Sequence, residues 1–349
     1  MSVTQKQIAD RLGLSQMTVS YALRGSQLVA DDTREQVQAA AREMGYRLNS
    51  SARAIRKGRC GCVAILESTA QYRSSFFGGA LFDGIHDALA ARDIHVTVAK
   101  LPDHFLTDEE YVPKILREFM ADGILINYFA DIPPRLIELI DRYEMPAVWI
   151  NSRQAHDCVY LDDYRGGREA AERLIALGHK RIGYADYGHY RPPSLAPDKA
   201  VHYSIIDRFL GYRDAMTEYD CTPLDLNPTG HIRGEAVIPC IREWLNKPDR
   251  PTAVICYGRR TATQLLHIAG SQGFRVPDDL SLLMFANTTS TELGIPLDTM
   301  EHGWEHMGRT ASEMLLAKID NPTRRLPSRP LRFHYRNAGT IAPPSANPE

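Results

Sequence analysis

The chain has 349 residues, 44% hydrophobic and 24% charged, which is enough for two or three domains with a sizeable core. A net charge of −2 conceals a division: residues 1–59 carry ten Lys/Arg against five Asp/Glu, and the rest 31 against 38. A basic head on an acidic body suits a protein that binds phosphates with one end only. No stretch approaches 18 apolar residues and the N-terminus has no apolar signal region, so a cytoplasmic protein without a membrane partner is expected.

In chain order, Thr4 and Gln7 form a capping box for a first helix, in which Ile8, Ala9 and Leu12 recur at helical spacing. Gly13 stops it, because glycine takes the left-handed turn cheaply. Ser15 then caps a second helix with Val19, Ala22 and Leu23 inward and Gln16, Met17, Thr18, Ser20 and Tyr21 outward. Two short helices, a glycine turn and a polar outer face describe a helix-turn-helix whose second helix enters the major groove. Such pairs also occur in domains that never touch DNA. A third helix is expected over 31–44, with Val37, Ala40, Ala41 and Met44 buried, before the basic run from Gly45 to Arg59.

From residue 61 the pattern becomes strand–helix alternation. Apolar runs predict buried parallel strands at 62–66, 94–99, 123–126, 147–150, 159–161, 181–185, 253–256, 281–285 and 331–335. Between them lie helical patterns, for instance at 79–92, 166–177, 209–218, 234–246, 262–272 and 305–319. The alternation implies α/β architecture, and its length favours two subdomains over one. Six scattered cysteines (60, 62, 158, 221, 240, 256) show neither CxxC nor metal-ligand spacing, so buried free thiols and no metal site are expected.

Residues 4–59 resemble the DNA-binding headpiece and hinge of the lactose-repressor (LacI/GalR) family of bacterial transcription regulators. Five motifs extend the resemblance over nearly the whole chain: Asp162-Asp163-Tyr164-Arg165-Gly166-Gly167-Arg168, Leu177-Gly178-His179-Lys180-Arg181, Arg208-Phe209-Leu210-Gly211-Tyr212, Arg250-Pro251-Thr252-Ala253 and Gly273-Phe274-Arg275-Val276-Pro277. The resemblance implies an all-α helix-turn-helix headpiece (1–59, hinge 49–57) and a two-lobed, Rossmann-like domain of the periplasmic-binding-protein-like type I class. One lobe is expected at about 60–160 and 288–320, the other at 161–287 and 321–341, with a disordered tail at 342–349. It further implies a homodimeric repressor on a pseudo-palindromic operator, since the leucine heptads that tetramerise some relatives are missing.

The DNA-binding residues it implies are Thr4, Ser15, Gln16, Met17, Thr18, Ser20, Tyr21 and Arg24, with Asn49, Ala52, Arg53, Ile55, Arg56 and Lys57 in the hinge. Gln16 suits an adenine edge, and Met17 and Tyr21 add apolar contact. Tyr21 stands where relatives often carry Arg, and packing against the headpiece core is its alternative role. Ile55 aligns with the side chain that wedges into the central base step.

Ser75, Phe76, Phe77, Asp163, Arg208, Tyr257, Arg259, Asn287 and His302 are expected to bind a small polar or sugar-derived effector between the lobes. Here the sequence departs from the family. Tyr257-Gly258-Arg259 replaces an Asn-Asp pair, Ala286-Asn287 an Asp-Asp pair, and His302 a frequent Gln. With sugar-hydroxyl acceptors changed and arginines gained, an anionic effector is expected, because Arg binds carboxylate and phosphate bidentately. The alternative places Arg259 and Arg260 at a helix start, pointing to solvent. Neither a G-x-S-x-G elbow, an HExxH, a P-loop nor paired catalytic carboxylates occur, so no enzyme and no cofactor are expected. The competing class is a solute-binding or enzymatic α/β protein that merely carries a helix-turn-helix.

Overall fold

The structure, a computed structural model, describes residues 3–47, 58–68, 79–101, 108, 110–128, 132–187, 202–227, 234–287 and 296–345. The expected hinge residues Asn49, Ala52, Arg53, Ile55, Arg56 and Lys57 lie outside these, as do Ser75, Phe76 and Phe77. The chain divides into two compact units, Met1–Cys60 and Gly61–Glu349.

Among its described residues the first unit has three helices, α1 (Gln5–Leu12), α2 (Gln16–Leu23) and α3 (Asp31–Glu43). The capping box is complete: the Gln7 amide donates to Thr4 Oγ1 (3.3 Å), and the Thr4 amide to Gln7 Oε1 (2.8 Å). Gly13 ends α1 at φ 64°, where a side chain would be strained. Ser15 Oγ accepts the Thr18 amide at 3.0 Å and so caps α2. No side chain caps α3, and Asp31 and Asp32 in its first turn suit the positive end of the helix dipole. Ile8, Ala9, Val19, Ala22, Val29, Val37, Ala40 and Ala41 make the core; Met44 is only half-buried.

Among its described residues the second unit holds two six-stranded sheets. The first lobe orders its strands β11-β5-β4-β3-β1-β2 and the second β12-β10-β9-β8-β6-β7. In the first lobe the strands are β1 (Cys62–Ser68), β2 (His95–Leu101), β3 (Gly123–Asn127), β4 (Ala147–Ile150), β5 (Cys158–Leu161) and β11 (Arg329–Leu331). The second has β6 (Ile182–Ala185), β7 (Leu224–Asp225), β8 (Ala253–Cys256), β9 (Ser281–Ala286), β10 (Asp298–Glu301) and β12 (His334–Arg336). All pairings are parallel except β10–β12, and β3, β4, β6, β8 and β9 are buried almost throughout, hence their continuous apolar runs. Helices α4 (Gly79–Ala90), α5 (Lys114–Arg117) and α6 (Pro134–Arg142) fall between first-lobe strands, α7 (Asp163–Ala176) leads from β5 of the first lobe into β6 of the second, and α8 (Tyr203–Glu218), α9 (Val237–Leu245) and α10 (Arg259–Ser271) fall between second-lobe strands.

The lobe boundaries differ from those expected. β10 lies within 288–320 but pairs with β9 in the second lobe, while the helix after it, α11 (Trp304–Asp320), packs on α4 and β3–β5 of the first. The run at 331–335 is not one strand: β11 joins the first sheet, β12 the second, and Arg332–Phe333 between them is a crossover. Among the described residues the chain therefore passes between lobes three times, at Asp162–Asp163, His302–Gly303 and Arg332–Phe333. α5, β7 and β10 are too short or too polar to show a clear period in the sequence, whereas α6 buries Leu136, Leu139 and Ile140 at helical spacing.

The tail expected to be disordered from 342 is tied down as far as residue 345. Ala342 O accepts from His179 Nε2 (2.8 Å) and Ser281 Oγ (3.1 Å), and Ser345 Oγ donates to Asp278 O (3.0 Å). Backbone polar groups that find such partners are held however polar the local composition. All six cysteines are free thiols, but only Cys158 and Cys256 are buried.

Candidate nucleic-acid interface and effector cleft

On α2 the outward side chains divide into two sets. Ser15 Oγ and Thr18 Oγ1 lie 2.8 Å apart and close the cap, and Arg24 Nη2 donates to Ser20 Oγ. Gln16 and Met17 are exposed and make no such bonds, Met17 at 67% relative exposure. Tyr21 is half-buried against the headpiece core, and Arg24 lies 5.9 Å from its ring centroid. The surface thus presents one amide and one thioether at its centre, flanked by hydroxyls already engaged in the fold. Arg34 braces the loop before α3, donating to Val29 O (3.0 Å) and Ser26 O (3.3 Å) and pairing with Asp31.

In the second unit, Arg208 organises a buried polar cluster at the crossovers between the lobes. Its Nε donates to Asp163 Oδ1 (2.5 Å), Nη1 to Tyr257 O (2.9 Å) and Nη2 to His302 Nε2 (3.0 Å). Tyr257 and Phe285 each lie 4.5 Å from the guanidinium carbon, a cation–π arrangement. Arg208 is 5% exposed and Asp163 1%, so this is a buried ion pair. Burial disfavours the guanidinium charge, but Asp163, with Tyr257 and Tyr184 beside it, outweighs that and holds the Arg208 pKa above its ordinary value. The close crossing of α7 and α8 brings the pair together: a Cβ on Gly167 would stand 2.1 Å from Arg208 O, and one on Gly211 1.9 Å from Tyr164 O.

His302 Nε2 can only accept from a guanidinium, so the ring proton sits on Nδ1 and is donated to Asn287 Oδ1 at 2.9 Å. Burial, then the charge of Arg208, hold its pKa well below the usual imidazole value. Arg259 opens α10, half-buried, with Nη2 3.4 Å from Asn287 O, while Arg260 beside it is exposed. Tyr257 Oη and Ser204 Oγ are 2.6 Å apart, as are Ser204 Oγ and His202 Nδ1. Burial pushes the Tyr257 hydroxyl up to about 12. The cluster thus joins two arginines, one carboxylate, one neutral imidazole and several rings; among the described residues no His/Cys/Asp/Glu group could hold a metal.

Residues 4–49 match the family described as bacterial regulatory proteins, lacI family, and residues 171–337 the periplasmic binding protein-like domain. The HTH-type transcriptional repressor PurR of Pectobacterium atrosepticum is 26% identical over 323 residues, 90% of each chain. The lac repressor dimer bound to operator and an anti-inducer superposes with a TM-score of 0.76 at 20% identity, covering 98% of this chain and 100% of that one. A transcriptional regulator CelR–cellobiose complex does so at 0.61 and 22%, covering 97% and 99%. The chain belongs to the LacI/GalR family of transcriptional regulators.

The structure gathers Asp163, Arg208, Tyr257, Arg259, Asn287 and His302 into one hydrogen-bonded cluster, with Arg259 turned toward Asn287. Sequence reasoning missed His202, Ser204, Phe285 and Phe333, which complete it. Their signal was weak: His202 and Ser204 stand in a Pro-rich stretch that reads as loop, and the two phenylalanines read as plain strand core. In the headpiece, Thr4 and Ser15 carry caps, leaving Gln16 and Met17 as the exposed pair on the recognition helix. No described helix is long and apolar enough to cross a membrane.

Proposed function

We propose that this chain is an effector-gated repressor that binds a pseudo-palindromic operator as a homodimer. The observation that carries it is a capped recognition helix exposing Gln16 and Met17, in a chain whose second unit is two-lobed with a polar cluster at its crossovers. Gln16 reads an adenine edge and Met17 meets a thymine methyl, while Arg24 and Arg47 take phosphates. Ile55 wedges into the central base step, and Asn49, Ala52, Arg53, Arg56 and Lys57 line the minor groove around it. The dimer forms along edge strand β2 and helix α4, where Val98 and Phe82 stay 49% and 36% exposed.

The effector is a small polar molecule held by Tyr257, Arg259, Asn287 and His302 against Arg208, with Ser75, Phe76 and Phe77 completing the site. An acid group on it is received by Arg259. Taking Asp163's place on Arg208 would strand a buried carboxylate, at a cost of about 3–5 kcal/mol. Binding changes the lobe angle and hence the hinge spacing, a coupling of about 1–3 kcal/mol.

Retardation of palindromic duplexes tests the core of this reading. The full chain should shift a cognate duplex at moderate salt, and the fragment from residue 60 onward should not. Equal retardation by that fragment would refute it. A thermal-shift screen of neutral sugars against their acid and phosphate counterparts then identifies the effector class, with Arg259→Ala expected to remove any preference for the acids.

A further inference from the structure

The first two turns of α8, with His202 just before them, touch both lobes and all three crossovers. On one side they grip the first lobe. His202 Nε2 donates to the carbonyl of Asn151 (2.9 Å), Arg153 pairs with Asp207 (2.5 Å), and Arg153 stands over the Tyr203 ring at 5.3 Å. The Tyr203 hydroxyl lies 3.4 Å from Asn151 Oδ1 and from Leu161 O. Asn151 and Arg153 follow β4 and Leu161 ends β5, so each contact crosses from one lobe to the other.

On the other side, one residue further on, Arg208 holds the crossovers. Asp163 belongs to the first and His302 to the second, and Phe333 of the third has its ring 5.4 Å from the guanidinium carbon. Hydrogen bonds join the two sides: Tyr257 Oη donates to Ser204 Oγ, which donates to His202 Nδ1, leaving Nε2–H for Asn151. A ligand contact on Tyr257 is therefore three hydrogen bonds from the first lobe.

We propose that residues 202–208 form a clamp that sets the angle between the lobes. A single helical segment that binds all three hinges and also the far lobe leaves the hinges no independent freedom while its contacts hold. Release of the outer contacts frees the second lobe to rotate about the crossovers. The effect of this rotation on operator affinity rests on the effector-gated reading above; the clamp itself does not.

Hydrogen exchange on the full chain tests it, comparing wild type with His202→Ala/Asp207→Asn. Cutting the outer contacts should raise amide exchange at 162–166, 302–304 and 332–334 by about tenfold or more, leave β8 and β9 unchanged, and increase the radius of gyration. The exchanged pair Arg153→Glu/Asp207→Lys should return crossover exchange to within about threefold of wild type. Unchanged crossover exchange, or an equal rise in β8 and β9 that marks simple loss of stability, would overturn the proposal. Faster crossover exchange with operator affinity unmoved would uphold the clamp and count against effector gating.

Discussion

Arg208 illustrates how one residue's role depends on its partners. Met by a ligand, a cleft arginine is a free cation; here it is neutralised by Asp163, covered by two rings, and bonded to a histidine that must be neutral to accept. That requirement gives a pH dependence of known sign. The folded-state pKa of His302 is well below its ordinary value, so the unfolded chain binds the proton more readily. Its contribution to stability is complete above about pH 6.5 and is lost as pH falls from there through the depressed folded value. His302→Gln keeps an acceptor for Arg208 and removes the titration. Its melting temperature should therefore vary less between pH 7.5 and 5 than that of wild type. An identical pH profile for the two proteins would show that His302 is not the responsible group. His179, whose pKa burial also lowers, contributes in the same direction and remains in both.

At the scale of elements, α2 is only 8 residues long and cannot persist alone. It is held by the Ser15 cap at one end and by Val19 and Ala22 in the core. Ser15→Ala removes the acceptor for the Thr18 amide and should cost about 1 kcal/mol. Because the chain forms two compact units, this loss should appear in the headpiece transition alone, with the transition of 61–349 unmoved. Calorimetry of the variant separates them; an unshifted headpiece transition would mean that the cap is dispensable. In the same way α7 and α8 depend on Gly167 and Gly211, where a side chain would collide with the facing backbone.

Over the whole molecule, the excess of positive charge in 1–59 drives association with DNA, but each arginine must be placed before it is counted. Arg11 pairs with Glu43 and Arg34 is bound to two carbonyls and to Asp31, whereas Arg47 is exposed. Arg47→Ala should make the slope of log K against log salt shallower by about 0.9 for each headpiece engaged, so by about 1.8 for a dimer. Arg34→Ala should leave the slope as it is and destabilise the loop before α3. Equal slope changes for the two variants would show that the internal bonds of Arg34 do not withhold it from phosphate.

The sequence by itself determined what depends on near neighbours: both headpiece caps, the Gly13 stop, most of the buried parallel strands and the basic head. These follow from spacings of four residues or fewer and from continuous apolar runs, which carry their own geometry. Its motifs at Asp163 and Arg208 and its departures at Tyr257, Arg259, Asn287 and His302 also single out residues that the structure brings into one polar cluster. Only the tertiary structure decided which lobe β10, β11 and β12 belong to, because short strands take their sheet from the neighbours that accept their hydrogen bonds. It alone placed Arg34 inward and tied residues 342–345 to His179, Ser281 and Asp278. It also set Asp163 against Arg208, and His202 against Asn151 across 51 residues of chain. Those contacts join residues far apart in sequence, and no local period or propensity records a partner that arrives only when the lobes have formed.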